Sequence, residues 1–365
     1  MTFHRAYNFC AGPATIPEVV LERVREELLN WKGRGSSFME ISHRSTDFLK
    51  LVFEPARENL KKLLNIPEDY HILFITTGTS HQFAMVPLNF LNLKPHKSAD
   101  YLHTGVWSGK AINEAKRYGN INVALSTENN QFTKMCSPNE LKLDSNASYL
   151  HYTPNETIHG FQFHTIPETH NVPIIADMSS EILSRPIEVS RYGMIYAGTQ
   201  KNIGPSGLTI AIIHKNMAGF ANALTPTLYQ YQTYIDSGSL YHTPNTFGIY
   251  MAGCIFEWLL NLGGISEIAK INQRKSQKLY DAIDHSSFYR NPVQKEFRSQ
   301  MNVIYYLPTV ELDQLFVKEA QNNHLINLKG HKSIGGIRAS IYNAMPEKGV
   351  DVLIEFMQEF ERKYG

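Results

Sequence analysis

The segment Tyr196-Ala-Gly-Thr-Gln-Lys-Asn-Ile-Gly-Pro-Ser-Gly207 places a single lysine, Lys201, between two apolar runs. The first run, residues 194–197, has the composition of a buried strand, and the second extends over residues 208–213. Lysine side chains usually lie in solvent. Between two buried strands the amine would lose hydration, which lowers its pKa and allows it to attack a carbonyl carbon. A loop lysine that follows a strand fits the segment equally well, so the remainder of the chain must decide.

The regions around this segment predict an α/β fold. Strand and helix signals alternate up to about residue 213, which is typical of a largely parallel sheet. The apolar run 173–176 ends in Asp177, and Lys201 follows a neighbouring candidate strand. Open α/β sheets bind their ligands at the carboxyl ends of the strands, so Asp177 and Lys201 are both candidate site residues. Beyond residue 213 shorter strands and longer helices predict a smaller domain, and Gly263-Gly264 marks the expected boundary.

The composition restricts the classes of protein to which the chain could belong. A chain of 365 residues exceeds the usual limit of a single core, so we expect two domains. Lys plus Arg (35) nearly balances Asp plus Glu (34), so there is no overall charge to attract nucleic acid or an anionic membrane. Cys10, Cys136 and Cys254 are far apart and show no metal-ligand spacing, which favours a reducing cytoplasm and no metal site. The N-terminus lacks the apolar core of a signal peptide, and we expect no membrane span.

Two further segments could bind small groups. A strand ending at Ile75 runs into Thr79, Ser80 and a helix, an arrangement that presents free N–H groups and hydroxyls to an anion. An ordinary strand-to-helix turn fits those residues too. Trp107 follows another strand and is either a core residue or a stacking surface for a flat ligand. The glycines around Trp107 lack P-loop spacing, which excludes that nucleotide motif.

Cations form two groups in the sequence. One group is His43 with Arg44, and the other is His331, Lys332 and Arg338 in a glycine-containing segment. Each group alone fits a solvated loop. Together they would bind an anionic substrate, because Arg binds carboxylates and phosphates through two parallel hydrogen bonds.

Taken together, these residues suit pyridoxal phosphate. A nucleophilic lysine would form the internal aldimine, and an aspartate would keep the pyridine nitrogen protonated so that the ring accepts carbanion electrons. An aromatic plate would stack on the ring, and a hydroxyl-rich turn would hold the phosphate.

The chain also resembles the phosphoserine aminotransferase family, which belongs to the class V aminotransferases of pyridoxal-phosphate fold type I. The resemblance runs nearly the whole length of the chain. It is carried by six segments: Phe9-Cys-Ala-Gly-Pro-Ala14, Met39-Glu-Ile-Ser-His-Arg44, His151-Tyr-Thr-Pro-Asn-Glu-Thr157, Ile182-Leu-Ser-Arg-Pro186, Tyr196-Ala-Gly-Thr-Gln-Lys-Asn-Ile-Gly-Pro205 and Gly335-Gly-Ile-Arg-Ala-Ser-Ile-Tyr-Asn-Ala-Met-Pro346.

The resemblance implies a large domain, residues 16–263, with a mostly parallel seven-stranded sheet flanked by helices. Residues 1–15 and 264–365 would form a smaller α+β domain. It also implies a homodimer with active sites at the subunit interface. The expected cofactor contacts are Thr79, Ser80, Trp107, Thr157, Asp177, Gln200 and Lys201 of one subunit with His242 and Thr243 of the other, and the expected substrate contacts are His43, Arg44, His331, Lys332 and Arg338.

Three positions depart from the pattern of enteric-bacterial members. Ser80 stands where those enzymes have Arg, and His242 replaces a usual Asn. Lys332 replaces a usual Arg, which keeps the charge but loses the planar fork, so we expect weaker discrimination of phosphate there.

The implied reaction is a ping-pong transamination. Lys201 moves the proton, L-glutamate donates the amino group, and 3-phosphohydroxypyruvate accepts it to give O-phospho-L-serine and 2-oxoglutarate. The family's second substrate, 3-hydroxy-2-oxo-4-phosphobutanoate of pyridoxine biosynthesis, is also expected. The alternatives are another class V enzyme, such as an alanine–glyoxylate or serine–glyoxylate aminotransferase, and a non-catalytic protein that kept the fold. Unphosphorylated substrates would need only Arg338 of the five cations, which favours the phosphorylated ones.

Overall fold

The structure is a computed structural model that describes residues 5–135 and 141–365. Cys136 and the first four residues lie outside the described residues. The expectations about cysteine spacing and about the N-terminus partly concern them. Ten α-helices and thirteen strands are numbered in chain order within those ranges. The strands are β1 Tyr7–Asn8, β2 Tyr70–Ile75, β3 Ser98–His103, β4 Asn120–Ser126, β5 Leu150–Tyr152, β6 Asn155–Glu156, β7 Phe161–Gln162, β8 Ile174–Asp177, β9 Met194–Gly198, β10 Thr209–His214, β11 Asn302–Tyr305, β12 Leu325–Ile326 and β13 Ile337–Ser340. The helices are α1 Glu18–Glu27, α2 Thr46–Phe48, α3 Glu54–Leu64, α4 Gln82–Phe90, α5 Val106–Ala115, α6 Tyr231–Asp236, α7 Thr246–Asn261, α8 Ile265–Asp284, α9 Val310–Asn322 and α10 Glu347–Tyr364.

The predicted α/β fold is confirmed, and its main sheet has seven strands. Their order is β2-β10-β9-β8-β5-β3-β4, and β9, β8, β5, β3 and β4 run parallel. Strand β10 is antiparallel to both of its neighbours. A parallel pair needs a long crossover, and residues 199–208 are too few to supply one after β9. The chain therefore turns back at once, and Lys201 lies in that turn.

The strands at the centre of the sheet are buried on both faces. In β9, Ile195 and Ala197 belong to one apolar core, while Met194 and Tyr196 belong to a second core on the opposite face. This alternation follows from the two-residue period of a strand. Sheets covered on both sides have apolar residues at consecutive positions, which explains the continuous run before Lys201.

A third core lies in the C-terminal part of the chain. It unites Phe9 of the N-terminal arm with residues of α8, α9, α10 and the antiparallel pair β11–β13. The arm is held there because β1 pairs in parallel with β12. These contacts place residues from both ends of the chain in one apolar cluster.

Helices α7 and α8 meet at an angle of 86°. Gly263 and Gly264 lie between them with φ values of 105° and 81°, a region of backbone space that glycine enters without strain. This turn coincides with the predicted domain boundary, which stays a prediction. No single helix in the described ranges is long and apolar enough to cross a membrane, although α7 and α8 pass that test as a bent pair.

A buried junction connects α8 to the turn that carries Lys201. The backbone N–H of Asn343 donates to Oδ1 of Asn202 at 3.0 Å, and the Asn343 amide donates to the carbonyl of Leu183 at 2.9 Å. From α8, Asn272 donates to the Asn343 Oδ1 atom at 2.8 Å. The Nζ atom of Lys275, also on α8, donates to the carbonyls of Ile341 at 3.1 Å, Tyr342 at 2.8 Å and Met345 at 3.0 Å.

Candidate active site

The carboxyl ends of β8 and β9 border a cavity of about 260 Å³. Asp177 is the last residue of β8, and Lys201 follows the end of β9 by three residues. Because the two strands are adjacent and parallel, both side chains reach the same edge of the sheet. The residues around the cavity include seven that the sequence had singled out: Thr79, Ser80, Trp107, Thr157, Asp177, Gln200 and Lys201.

Lys201 is half-buried and has one hydrogen-bond partner. Its Nζ atom donates to Oγ1 of Thr157 at 2.6 Å. Burial lowers the pKa of Lys201 to about 8, an effect that the charges of Asp177 and Glu156 oppose and that of Arg338 reinforces. The amine is therefore partly neutral at slightly alkaline pH, which is the form that attacks a carbonyl carbon.

Asp177 is buried, with 5% of its surface exposed. Burial raises the pKa of its carboxyl group, while Ser179 and Lys201 act in the opposite direction. Ser179 contributes two hydrogen bonds to Oδ1, from its backbone N–H at 3.1 Å and from its hydroxyl at 2.6 Å. These donors fix the carboxylate at the end of the strand. A carboxylate in this position can accept a hydrogen bond from a protonated ring nitrogen.

Trp107 lies in the first turn of α5, with its indole beside the lysine amine. The Nζ atom of Lys201 is 5.9 Å from the ring centroid, and that of Lys110 is 4.6 Å from it. The indole therefore lies at the cavity, and its role as a stacking surface stays a prediction.

Several buried polar atoms at the cavity have no partner within the described chain. They are Oγ1 of Thr79, Oγ1 of Thr153 and Nε1 of Trp107. Buried polar groups are nearly always hydrogen-bonded, so these atoms fit a polar ligand. Gly198 leaves room for the side chains of Thr79 and Gln200, because a Cβ atom there would collide with both. The donors and their position fit a flat, phosphorylated cofactor.

The cations of the C-terminal segment lie near one another. The charges of Arg338, Lys110 and Lys332 lower the pKa of His331, after the larger effect of burial. Arg338 on β13 has a buried Nε atom without a partner, and its charge also lowers the pKa of Lys201. None of these groups forms an ion pair with a carboxylate in residues 5–135 and 141–365. The segment therefore carries positive charge that no carboxylate of those two ranges pairs with.

Seven predicted residues are not among those that line the cavity: His43, Arg44, His242, Thr243, His331, Lys332 and Arg338. His43 is half-buried, and its Nε2 atom has no partner in the described ranges, while Arg44 is exposed. The Nδ1 atom of His242 lies 2.9 Å from the carbonyl oxygen of Thr243. The expectation that some of these residues serve a second subunit stays a prediction.

The sequence did not single out every residue in or beside the cavity; Ser179, which holds Asp177, and Glu156 are examples. Glu156 immediately precedes Thr157, is fully buried, and contacts the start of α5. Its partners lie 48 and 49 residues earlier, so no local pattern in the sequence indicates the contact.

Comparison with known proteins defines the class. The family described as aminotransferase class-V matches residues 6–353. The chain therefore belongs to the class V aminotransferases.

Individual relatives are more specific. The chain is 50% identical over 361 residues to the phosphoserine aminotransferase of Pseudomonas syringae pv. syringae strain B728a, with 99% of both chains covered. It is similar to the solved phosphoserine aminotransferase of Bacillus circulans subsp. alkalophilus, with a TM-score of 0.96, 44% identity and 99% of both chains covered. The PLP-bound phosphoserine aminotransferase of Trichomonas vaginalis matches with a TM-score of 0.92 and 38% identity, covering 97% of this chain and 100% of that one.

Proposed function

We propose that this class V aminotransferase uses pyridoxal 5'-phosphate to move the amino group of L-glutamate to 3-phosphohydroxypyruvate, giving O-phospho-L-serine and 2-oxoglutarate. The observation that carries the proposal is the meeting of Lys201, Asp177 and Trp107 around one cavity. The relatives' names and the cations of the C-terminal segment support the choice of substrate.

The roles follow from the contacts. Bound pyridoxal phosphate would supply an electron sink for the carbon that loses its proton. Lys201 would link to the cofactor's aldehyde carbon and, when displaced, carry the proton as general base and acid. Asp177 would hold the ring nitrogen, and Trp107 would cover the ring face. Thr79, Ser80 and Gln200 would hold the phosphate, and Thr157 would contact the phenolic side of the cofactor.

The substrate would bind through charge. Arg338, which lies close enough to act on the pKa of Lys201, would hold the carboxylate. His331 and Lys332 would hold the substrate's phosphate. In the proposed homodimer, the second subunit would add His43 and Arg44 to the substrate site and His242 and Thr243 to the cofactor site.

Three further parts of the proposal rest on the resemblance. The enzyme would also accept 3-hydroxy-2-oxo-4-phosphobutanoate for pyridoxine biosynthesis. It would act in the cytoplasm. Residues 16–263 would form the large domain, and residues 1–15 with 264–365 the small one.

Two measurements on the purified protein test the proposal. Cofactor binding should produce a visible absorbance that glutamate bleaches and that returns on adding 3-phosphohydroxypyruvate. Glyoxylate serves as the competing amino acceptor, since the other class V activities use unphosphorylated acids. Recovery with glyoxylate but not with the phosphorylated acid would replace the proposal with an alanine–glyoxylate or serine–glyoxylate type. A protein that shows no absorbance change with added cofactor would contradict any such activity.

A further inference from the structure

Glu156 binds the first turn of α5 with both carboxylate oxygens. Its Oε1 atom accepts hydrogen bonds from the backbone N–H of Ser108 at 2.9 Å and from the Ser108 hydroxyl at 2.6 Å. Its Oε2 atom accepts from the backbone N–H of Trp107 at 3.2 Å. Gly105 leaves room for this contact, because a Cβ atom there would collide with the carboxyl group. The carboxylate thus holds the backbone of the residue whose indole borders the cavity.

The next residue in the chain holds the lysine. Thr157 accepts the hydrogen bond from Nζ of Lys201, and the indole of Trp107 lies on another side of the same amine. Glu156 at the end of β6 and Thr157 directly after it therefore hold two sides of one site. A shift of Glu156 would move the indole and the Thr157 hydroxyl relative to the amine.

Burying a carboxylate at the start of this helix costs free energy, because the charge loses its hydration. Glu156 is fully buried, and burial raises its pKa to about 6, with the nearby Asp177 adding to the effect and the Ser108 and Trp107 donors opposing it. A negative charge at a helix N-terminus is favourable. The Ser108 hydroxyl accepts from the backbone N–H groups of Thr104 and Gly105, which precede the helix, so the N–H groups of Trp107 and Ser108 depend on Glu156. Neutral side-chain oxygens of Ser, Thr and Asn also cap helices, so capping alone does not require the buried charge.

We propose that Glu156 is a positioning residue for the transamination: it fixes the Trp107 indole and the Thr157 hydroxyl against the amine of Lys201. This inference rests on the proposed function, because it assigns the indole to the cofactor face. Glu156 itself touches neither the amine nor the cavity.

The test uses the full chain labelled with 5-fluorotryptophan, whose three tryptophans, Trp31, Trp107 and Trp258, give three ¹⁹F resonances. Trp107→Phe assigns the relevant line. In Glu156→Gln the Trp107 line should shift or broaden while the other two stay unchanged. The turnover number kcat should fall by about 10-fold to 100-fold, with KM for the phosphorylated keto acid changing less than about 2-fold. Glu114→Gln removes a carboxylate from the same helix outside the cavity and should change neither quantity.

Two outcomes would overturn the proposal. One is an unchanged Trp107 line in Glu156→Gln with kcat equal to that of the wild type. The other is an equal disturbance of all three lines, which would assign Glu156 to general stability. If Glu156→Gln does not fold, Ser108→Ala removes one donor and keeps the charge, and the same two readouts decide. The resonances need no substrate, so failure of the proposed reaction would be recognised separately in the wild type.

Discussion

Two lysines that lie away from the surface, Lys275 and Lys201, differ in their hydrogen bonding. Lys275 on α8 is fully buried and donates hydrogen bonds to three carbonyls of the segment 341–345. An ammonium group has three N–H donors, so all of them are used. Lys201 has one partner, Thr157, and lies beside a cavity. Burial lowers the pKa of both groups, to about 7 for Lys275 and about 8 for Lys201.

The comparison shows that a lowered pKa does not by itself identify a reactive lysine. Saturated hydrogen bonding indicates a structural role, because no donor is left for a ligand. A single partner next to open space indicates an available amine. Hydrogen bonding and access to the cavity therefore distinguish two lysines whose pKa values are lowered in the same direction and by the same cause.

The largest expected effect is that of Lys201→Ala. Turnover with glutamate and 3-phosphohydroxypyruvate should fall by about 10³-fold or more, because both the covalent link and the proton carrier are lost. The free energy of unfolding of the cofactor-free chain should change by less than about 1 kcal/mol. Steady-state kinetics and urea denaturation measure the two quantities. Retained turnover would remove Lys201 from the mechanism.

Lys275→Met should show the opposite pattern. Three buried carbonyls lose their donor, and leaving such groups unsatisfied should lower the free energy of unfolding by about 3 kcal/mol. Turnover per folded molecule should stay within about 3-fold of the wild type, because the side chain does not reach the cavity. Urea denaturation and kinetics on the folded fraction provide the comparison. A loss of turnover as large as that of Lys201→Ala would contradict a purely structural role for Lys275.

The pH dependence of stability sharpens the contrast further. The folded-state pKa of Lys275, about 7, lies below the ordinary value of 10.5, so between these values the unfolded chain binds a proton that the folded chain has released. Stability should rise with pH across that window, by at most about 1.4 kcal/mol per pH unit from this group. Lys275→Met should flatten the slope measured by urea denaturation between pH 7 and 9. If the free energy of unfolding had the same pH slope in the wild type and in Lys275→Met, the folded chain would keep Lys275 protonated across this window, held by its three carbonyl partners.

The smallest effect concerns the substrate cations. Lys332→Arg introduces a planar fork that can hold phosphate through two hydrogen bonds. The KM for the phosphorylated keto acid should fall by about 3-fold to 10-fold, while the KM for glutamate, which lacks phosphate, stays constant. Lys329→Arg, in the same segment, is the matched control. Unchanged KM values in Lys332→Arg would show that Lys332 does not contact the phosphate.

The sequence could predict those parts of the fold and site that depend on local order. The carboxyl ends of parallel strands share one edge, so Asp177 and Lys201 could be located from the runs that precede them. The antiparallel insertion of β10 between β2 and β9 was not predicted, because pairing between distant strands leaves no local pattern. The contact of Glu156 was not predicted for the same reason, because its carboxylate accepts hydrogen bonds from a helix that begins 50 residues earlier. The roles of all these residues stay predictions.

The hydrogen bonds of Asn343 have a mechanical consequence. They connect α8 and the C-terminal core, through Asn202, to the residue next to Lys201. Rotating the C-terminal core against the sheet at this point would break bonds that have no replacement in the buried interior. The position of the Lys201 backbone is therefore coupled to the C-terminal core, and a substitution at Asn343 would be felt at a cavity that this residue does not line.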